Sequence, residues 1–184
     1  MDAVELALLA NGGFEWHEQH CRCDPSVNQT PCEYCAIHTA LTRAKRFALQ
    51  ETGGYFAQTA GTCCFVYAVA NCLLYLRQPV KALDVAMDVA KCRTGSTIDH
   101  KGVIAYFGAP LVEASYDAVL ECGGVLNIMH PIFNGHSLFV FPEAGGLTLV
   151  NSWLGPNVIR GVGRDEVLRW VSDSVGSHYR IERC

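Results

Sequence analysis

The chain has 184 residues, half of them apolar and 17% charged, which suits one ordinary domain with its own core and is too short for two. That composition excludes a disordered chain. A net charge of −4, with Lys and Arg scattered and their densest run at Arg43, Lys45 and Arg46, leaves no electrostatic footprint for nucleic acid, and no such partner is expected.

The opening, MDAVELALLANGGF, carries Asp2 and Glu5 where a secretory signal carries Lys or Arg. The longest apolar stretch, Cys63 to Leu76, is interrupted by Asn71 and falls short of the roughly 20 residues a membrane crossing needs. The expectation is a protein with no membrane partner, cytoplasmic or carried in a virion. Ten cysteines are many for this length. A cytosolic origin favours free thiols, metal ligands or a nucleophile over disulfides, and an oxidising site of action reverses that preference.

In chain order, residues 1–50 read as a separate arm. A short helix (Ala3–Leu9) leads to a Cys/His-rich loop, and Glu33–Gln50, rich in Ala, Leu, Arg and Lys, reads as a second helix. In the loop, Cys21-x-Cys23, eight residues, then Cys32-x2-Cys35 supply four soft ligands, a set that suits tetrahedral zinc. A closed all-protein shell makes such a zinc structural, and no cofactor is implied for catalysis. His17, His20 or His38 can replace one cysteine; two disulfides and plain thiols are the other readings of the cluster.

Gly53-Gly54 breaks the chain, and residues 51–184 read as one domain. Cys64 to Leu76 has helical length, with Pro79 after it as a stop. Val80–Lys91 carries apolar residues at Val80, Leu83, Met87 and Ala90, close to a 3.6-residue period, and Ile98–Phe107 reads as a further helix closed by Gly108 and Pro110. The character then changes. Val125–Met129, Ser137–Phe141 and Leu147–Asn151 are short and rich in branched or aromatic residues, the last two joined by the hairpin connection Pro142–Gly146. Val158–Val162 adds a strand, Asp165–Val171 a short helix and His178–Glu182 a last strand. Helices followed by an antiparallel sheet define the α+β class.

The segment QTAGTCCFVYAVANCL, Gln58 to Leu73, carries the chemistry. A nucleophilic cysteine works as its thiolate, which a helix N-terminus favours through its unpaired N–H groups and dipole. Cys64 sits where a Gly-Thr turn meets an apolar helix. Gln58, six residues earlier, can fold back to donate its amide to a developing oxyanion. His136 opens a strand 72 residues after Cys64 and can take the thiol proton. Asn151 ends the next strand 15 residues on, and antiparallel pairing through the Pro142–Gly146 turn brings it near His136, where its side chain can orient the imidazole.

The ordered set Gln58, Cys64-Phe65-x-Tyr67-Ala68, His136 and Asn151-Ser152-Trp153-x-Gly155 resembles that of the papain-like cysteine peptidases. The short interval from Cys64 to His136 is similar to that of the compact members that process bacteriocin leaders. Those share the His-started strand, Gly-containing hairpin, Asn/Asp-ended strand, and a Gly with a short helix and late Trp, here Gly163–Trp170. The resemblance implies a helical N-terminal part whose nucleophile helix packs on a C-terminal antiparallel sheet. It also implies a protein or peptide substrate. Asn151 stands where the compact relatives commonly carry Asp, as in papain-like members that use Asn.

Alternatives stay open. Gly61-Thr62-Cys63-Cys64 also fits Cys63 as nucleophile; the Gln58 offset, aromatic Phe65 and small Ala68 favour Cys64. Cysteine is among the most buried residue types, so Cys64 taken singly reads as core. His136 taken singly reads as a hydrogen-bonded strand histidine, with His130 as its rival. Cys72, Cys92, Cys122 and Cys184 read as core or surface thiols. A papain-like module without activity, serving in binding or assembly, and an acyl or γ-glutamyl transferase are the competing functions.

Overall fold

A computed structural model describes residues 54–56, 63–91, 98–128, 135–152, 157–169 and 177–183. The arm of residues 1–50 with its four-cysteine cluster, Gln58, His130 and Trp153 lie outside the described residues. Among those described, the elements run α1 (Cys64–Tyr75), α2 (Leu83–Val89), α3 (His100–Phe107), β1 (Leu111–Ala114), α4 (Tyr116–Cys122), β2 (Gly124–Ile128), β3 (His136–Glu143), β4 (Gly146–Asn151), β5 (Asn157–Val162), α5 (Arg164–Leu168) and β6 (His178–Ile181). The fold is α+β. No helix among the described residues is long and apolar enough to cross a membrane.

Helix α1 is apolar all round because it is surrounded. Cys64 through Leu73 are buried without a break, as an interior helix requires. Its end is a Schellman motif with an unusual residue: Arg77 takes φ +55°, its N–H reaches Leu74 O at 3.0 Å, and the Gln78 N–H reaches Leu73 O at 2.9 Å. Pro79 therefore follows a helix already closed. Helix α3 is capped more conventionally. The Asp99 carboxylate accepts from the Gly102 N–H at 2.9 Å, and Gly108 ends the helix at φ +65°.

The strands form one six-stranded antiparallel sheet in the order β1-β6-β2-β3-β4-β5. Alternate side chains feed two cores. Val125, Phe139, Phe141, Val150 and Tyr179 pack under α1, α2 and α3. Leu126, Ile128, Leu138, Val140, Leu147 and Leu149 pack against Val119 and Leu120 of α4 and Val167 of α5. Burial on both faces explains why β2, β3 and β4 read as continuous apolar runs rather than alternating ones. Each fully buried Phe, Leu or Val contributes roughly 1.5–3 kcal/mol.

Two elements go beyond the expectations from sequence, β1 and α4. Both were hidden by brevity, although Ser115 accepting from the Ala118 N–H at 3.3 Å is an ordinary N-cap. The second helix is shorter than expected, Leu83–Val89. Cys122 corrects an expectation: it is disulfide-bonded rather than a plain thiol. It ends α4 half-buried.

Gly124 sets the closest approach in the sheet. At φ +152° it pairs with Arg180, and a Cβ there would lie 2.1 Å from Tyr179 O and 2.8 Å from Arg180 Cα. Both are backbone atoms that cannot turn away. Gly124→Ala is expected to cost about 3 kcal/mol in unfolding free energy by urea titration, the upper part of the range for overpacking. A cost below half of that would show that β6 moves aside freely.

Candidate active site

Cys64 is the first residue of α1 and Cys63 is its N-cap. The first turn contains no acidic residue, so no carboxylate competes with a thiolate for the helix dipole there. The two cysteines differ in surroundings. Cys63 is 2% exposed and belongs to the core beneath α1. Cys64 is 9% exposed and hydrogen-bonds to the His136 imidazole and to both the backbone and side chain of Ser137.

His136 and Asn151 meet as diagonal rather than direct neighbours. Phe139 pairs with Val150, so counting on by one places Asn151 opposite Leu138, two residues from His136 on the same face. The reach suffices: His136 Nε2 and Asn151 Oδ1 are 2.8 Å apart. An amide oxygen can only accept, so Nε2 carries the proton, and the neutral ring then presents a bare Nδ1. That is the nitrogen left for the Cys64 thiol. His136 is 5% exposed and Asn151 is 1% exposed, so both are held by burial as well as by this bond.

Electrostatics follow the contacts. Burial pushes the Cys64 thiol up, but the hydrogen bond and charge of His136, with the Ser137 N–H and hydroxyl, outweigh it and leave the thiol below its ordinary 9.0. Burial pulls His136 down, and the Cys64 bond and charge with the Asn151 bond hold it above its ordinary 6.5. The two shifts favour a thiolate beside an imidazolium. Cys72, in the same helix but with no imidazole to lower it, is pushed up by burial to about 12. Position along one helix separates a sulfur held below its ordinary value from one pushed above it.

Around the site lie contacts that the sequence reading did not foresee, although it had named Phe65, Asn71 and Ser152. Phe65 stacks on His100 with ring centroids 3.9 Å apart and meets Tyr179 edge-on, fixing the first turn of α1. Burial keeps His100 below 6.5 against the charges of Asp99 and Glu113, in keeping with a packing role. Asn71, a polar residue at 0% exposure inside α1, grips the backbone at Phe56. The Phe56 N–H donates to its Oδ1 at 2.7 Å and its Nδ2 donates to Phe56 O at 3.3 Å. This tie anchors the chain two residues before Gln58. Its signal was the interruption of an apolar run. Ser152 is also buried, with no hydrogen-bond partner for its hydroxyl among the described residues.

A shallow cavity of about 270 Å³ lies elsewhere, lined by Leu76, Gln78, Pro110, Ile181, Glu182 and Arg183. It sits at the far end of α1, about 18 Å along the helix from Cys64 at 1.5 Å per residue. It forms no part of the Cys64 cluster.

No protein-family model matches the chain, and a search of curated proteins returns no match.

The pH response can be given a sign. The Cys64 contribution to stability is present above the thiol's unfolded value and lost as pH falls through its lowered folded value. The His136 contribution is present below the imidazole's unfolded value and lost as pH rises through its raised folded one. His136→Ala leaves burial as the main influence on Cys64. The pH midpoint of its alkylation by iodoacetamide should therefore move from below 9.0 to above it, in the direction of Cys72. An unchanged midpoint would contradict the pairing.

Proposed function

We propose that the chain is a papain-like cysteine hydrolase that cuts a peptide or isopeptide bond through Cys64, His136 and Asn151. The observation that supports this reading best is the unbroken relay from the Cys64 thiol through His136 to Asn151, with Nε2 held at 2.8 Å. An α+β fold with the cysteine at a helix start and the other two on adjacent strands suits the resemblance in the sequence.

In this mechanism the thiol proton passes to His136 Nδ1, and the thiolate attacks the substrate carbonyl carbon. The carbonyl π electrons move to oxygen, giving a tetrahedral oxyanion. The Cys64 backbone N–H, which as the first of α1 has no acceptor within the helix, is one donor to it, and Gln58 is assigned the second on sequence grounds. The imidazolium returns its proton to the leaving amine, the C–N bond breaks and a thioester remains. Water then attacks the thioester with His136 as base, releasing the acid and restoring the thiol. Asn151 keeps the ring in the tautomer and orientation that both steps need.

One observation favours a second reading, a module of the same fold without activity. The three side chains are almost enclosed, with Cys64 9% exposed. An electrophilic peptide probe separates the two. The hydrolase reading expects covalent labelling that Cys64→Ala abolishes, that Cys63→Ala retains, and that His136→Ala slows by roughly 10²–10⁴-fold. Equal labelling of wild type and both cysteine variants would refute it.

For residues 1–50 the proposal is a structural zinc held by Cys21, Cys23, Cys32 and Cys35, supported by ligand type and spacing. Native mass spectrometry is expected to find one zinc per chain, lost on joint Cys32→Ser and Cys35→Ser substitution. Two fewer titratable thiol pairs in the metal-free protein would point to disulfides instead.

A further inference from the structure

Behind Cys64 lies a pair of polar residues in otherwise apolar strands. Asn127 of β2 and Ser137 of β3 stand opposite each other in the ladder, 4% and 5% exposed. Asn127 is fixed at three points. Its Nδ2 donates to Ser177 O, its backbone N–H donates to His178 Nδ1 at 3.2 Å, and its Oδ1 accepts from the Ser137 hydroxyl. Because Nδ2 is committed to a carbonyl, Oδ1 must be the atom that faces Ser137. The same Ser137 hydroxyl is a hydrogen-bond partner of the Cys64 sulfur, as is the Ser137 N–H.

A hydroxyl has one proton to donate. We propose that the Ser137 hydroxyl is a switch shared between the Cys64 sulfur and Asn127 Oδ1, and that Asn127 is a positioning residue that sets its direction. With Cys64 as thiol, the hydroxyl stays on Asn127. When the thiol proton moves to His136 Nδ1, the Ser137 O–H turns to the thiolate, keeping its own proton. It exchanges a neutral bond for a charge-assisted one, and Asn127 Oδ1 is left bare in a buried site. Asn127 thus resists ionisation while Ser137 promotes it, and the balance restrains a thiolate that His136 and the helix dipole would otherwise favour more strongly.

The charged and titratable surroundings are few. His136 of β3 and Cys63 at the helix start stand beside Cys64, and His178 of β6 faces Asn127. Beyond Ser177, Glu113 of β1 accepts from its hydroxyl and pairs with Lys101 of α3 at 3.4 Å, next to His100. All remain in the variants below. The inference takes Cys64 as the reactive thiol of the proposed hydrolase, but its readout is thiol ionisation and not turnover. Normal ionisation behaviour without hydrolysis would count against the enzyme reading alone.

The test is the pH midpoint of Cys64 alkylation by iodoacetamide in the full chain, with the modified sulfur located by tandem mass spectrometry. Ser137→Ala is expected to raise the midpoint by about one pH unit, the effect of losing a hydrogen bond to a charge. Ser137→Thr, which keeps the hydroxyl, restores it. Asn127→Leu is expected to lower the midpoint by about half a unit, and to shift nothing in the Ser137→Ala background, where no hydroxyl remains to be released. A merely structural role moves both variants in the same direction, which would overturn the proposal, as would an Asn127→Leu shift that survives Ser137→Ala. Should Asn127→Leu fail to fold, Asn127→Asp replaces it. Its carboxylate holds the Ser137 proton more firmly and must raise the midpoint further in the native background than beside Ser137→Ala; equal rises overturn the switch.

Discussion

His136 joins the two layers of this molecule, and the site depends on how it does so. One ring nitrogen belongs to the sheet, through Asn151 at the end of β4, and the other is directed to the sulfur at the start of α1. Neither layer can shift by much without breaking one of these bonds. The helix is held in register by burial along ten successive residues, and the strands by the continuous β3–β4 ladder. Burial taxes every charge that forms there, and the compensating hydrogen bonds decide the outcome. Thiol and imidazole are both shifted against the direction that burial imposes.

A sheet buried on both faces has little room for polar side chains, so those it keeps carry information. Thr148 reaches Glu143, which also pairs with Arg160 at the β5 edge, at the outer end of the sheet. Asn127, Ser137, His136 and Asn151 gather instead at the end that meets the helix mouth. Their bonds run through β6, β2, β3 and β4. The fold therefore supports the sulfur with a chain of donors and acceptors spanning four strands, not with one residue.

The class of the fold was legible because its signals are local. Apolar runs bounded by Gly and Pro located most elements from Cys64 onward, and the hairpin at Pro142–Gly146 predicted the β3–β4 pairing. The proximity of His136 and Asn151 followed from that pairing, although its diagonal geometry depended on a register that spacing alone does not fix. Ser137 and Asn127 escaped notice because their meaning comes from facing each other across β2 and β3, a relation invisible in one segment. Asn71 was visible as an anomaly, but its partner at Phe56 lies on another segment. The β1–α4 pair was missed because Leu111-Val112 is its strand's only apolar run, and the helix after it offers Val119 and Leu120 as its only buried residues.

The contrast along α1 has a consequence for how the protein ages in air. Peroxide attacks thiolates, so Cys64 is placed to enter the sulfenic and sulfinic series while Cys72, protonated and wholly buried, is spared. Cys72 lies deep in the packing that holds the helix, and its survival leaves that packing intact. Oxidative damage would thus silence the sulfur at the helix mouth long before it loosened the scaffold, yielding a protein that looks whole by every measure of shape.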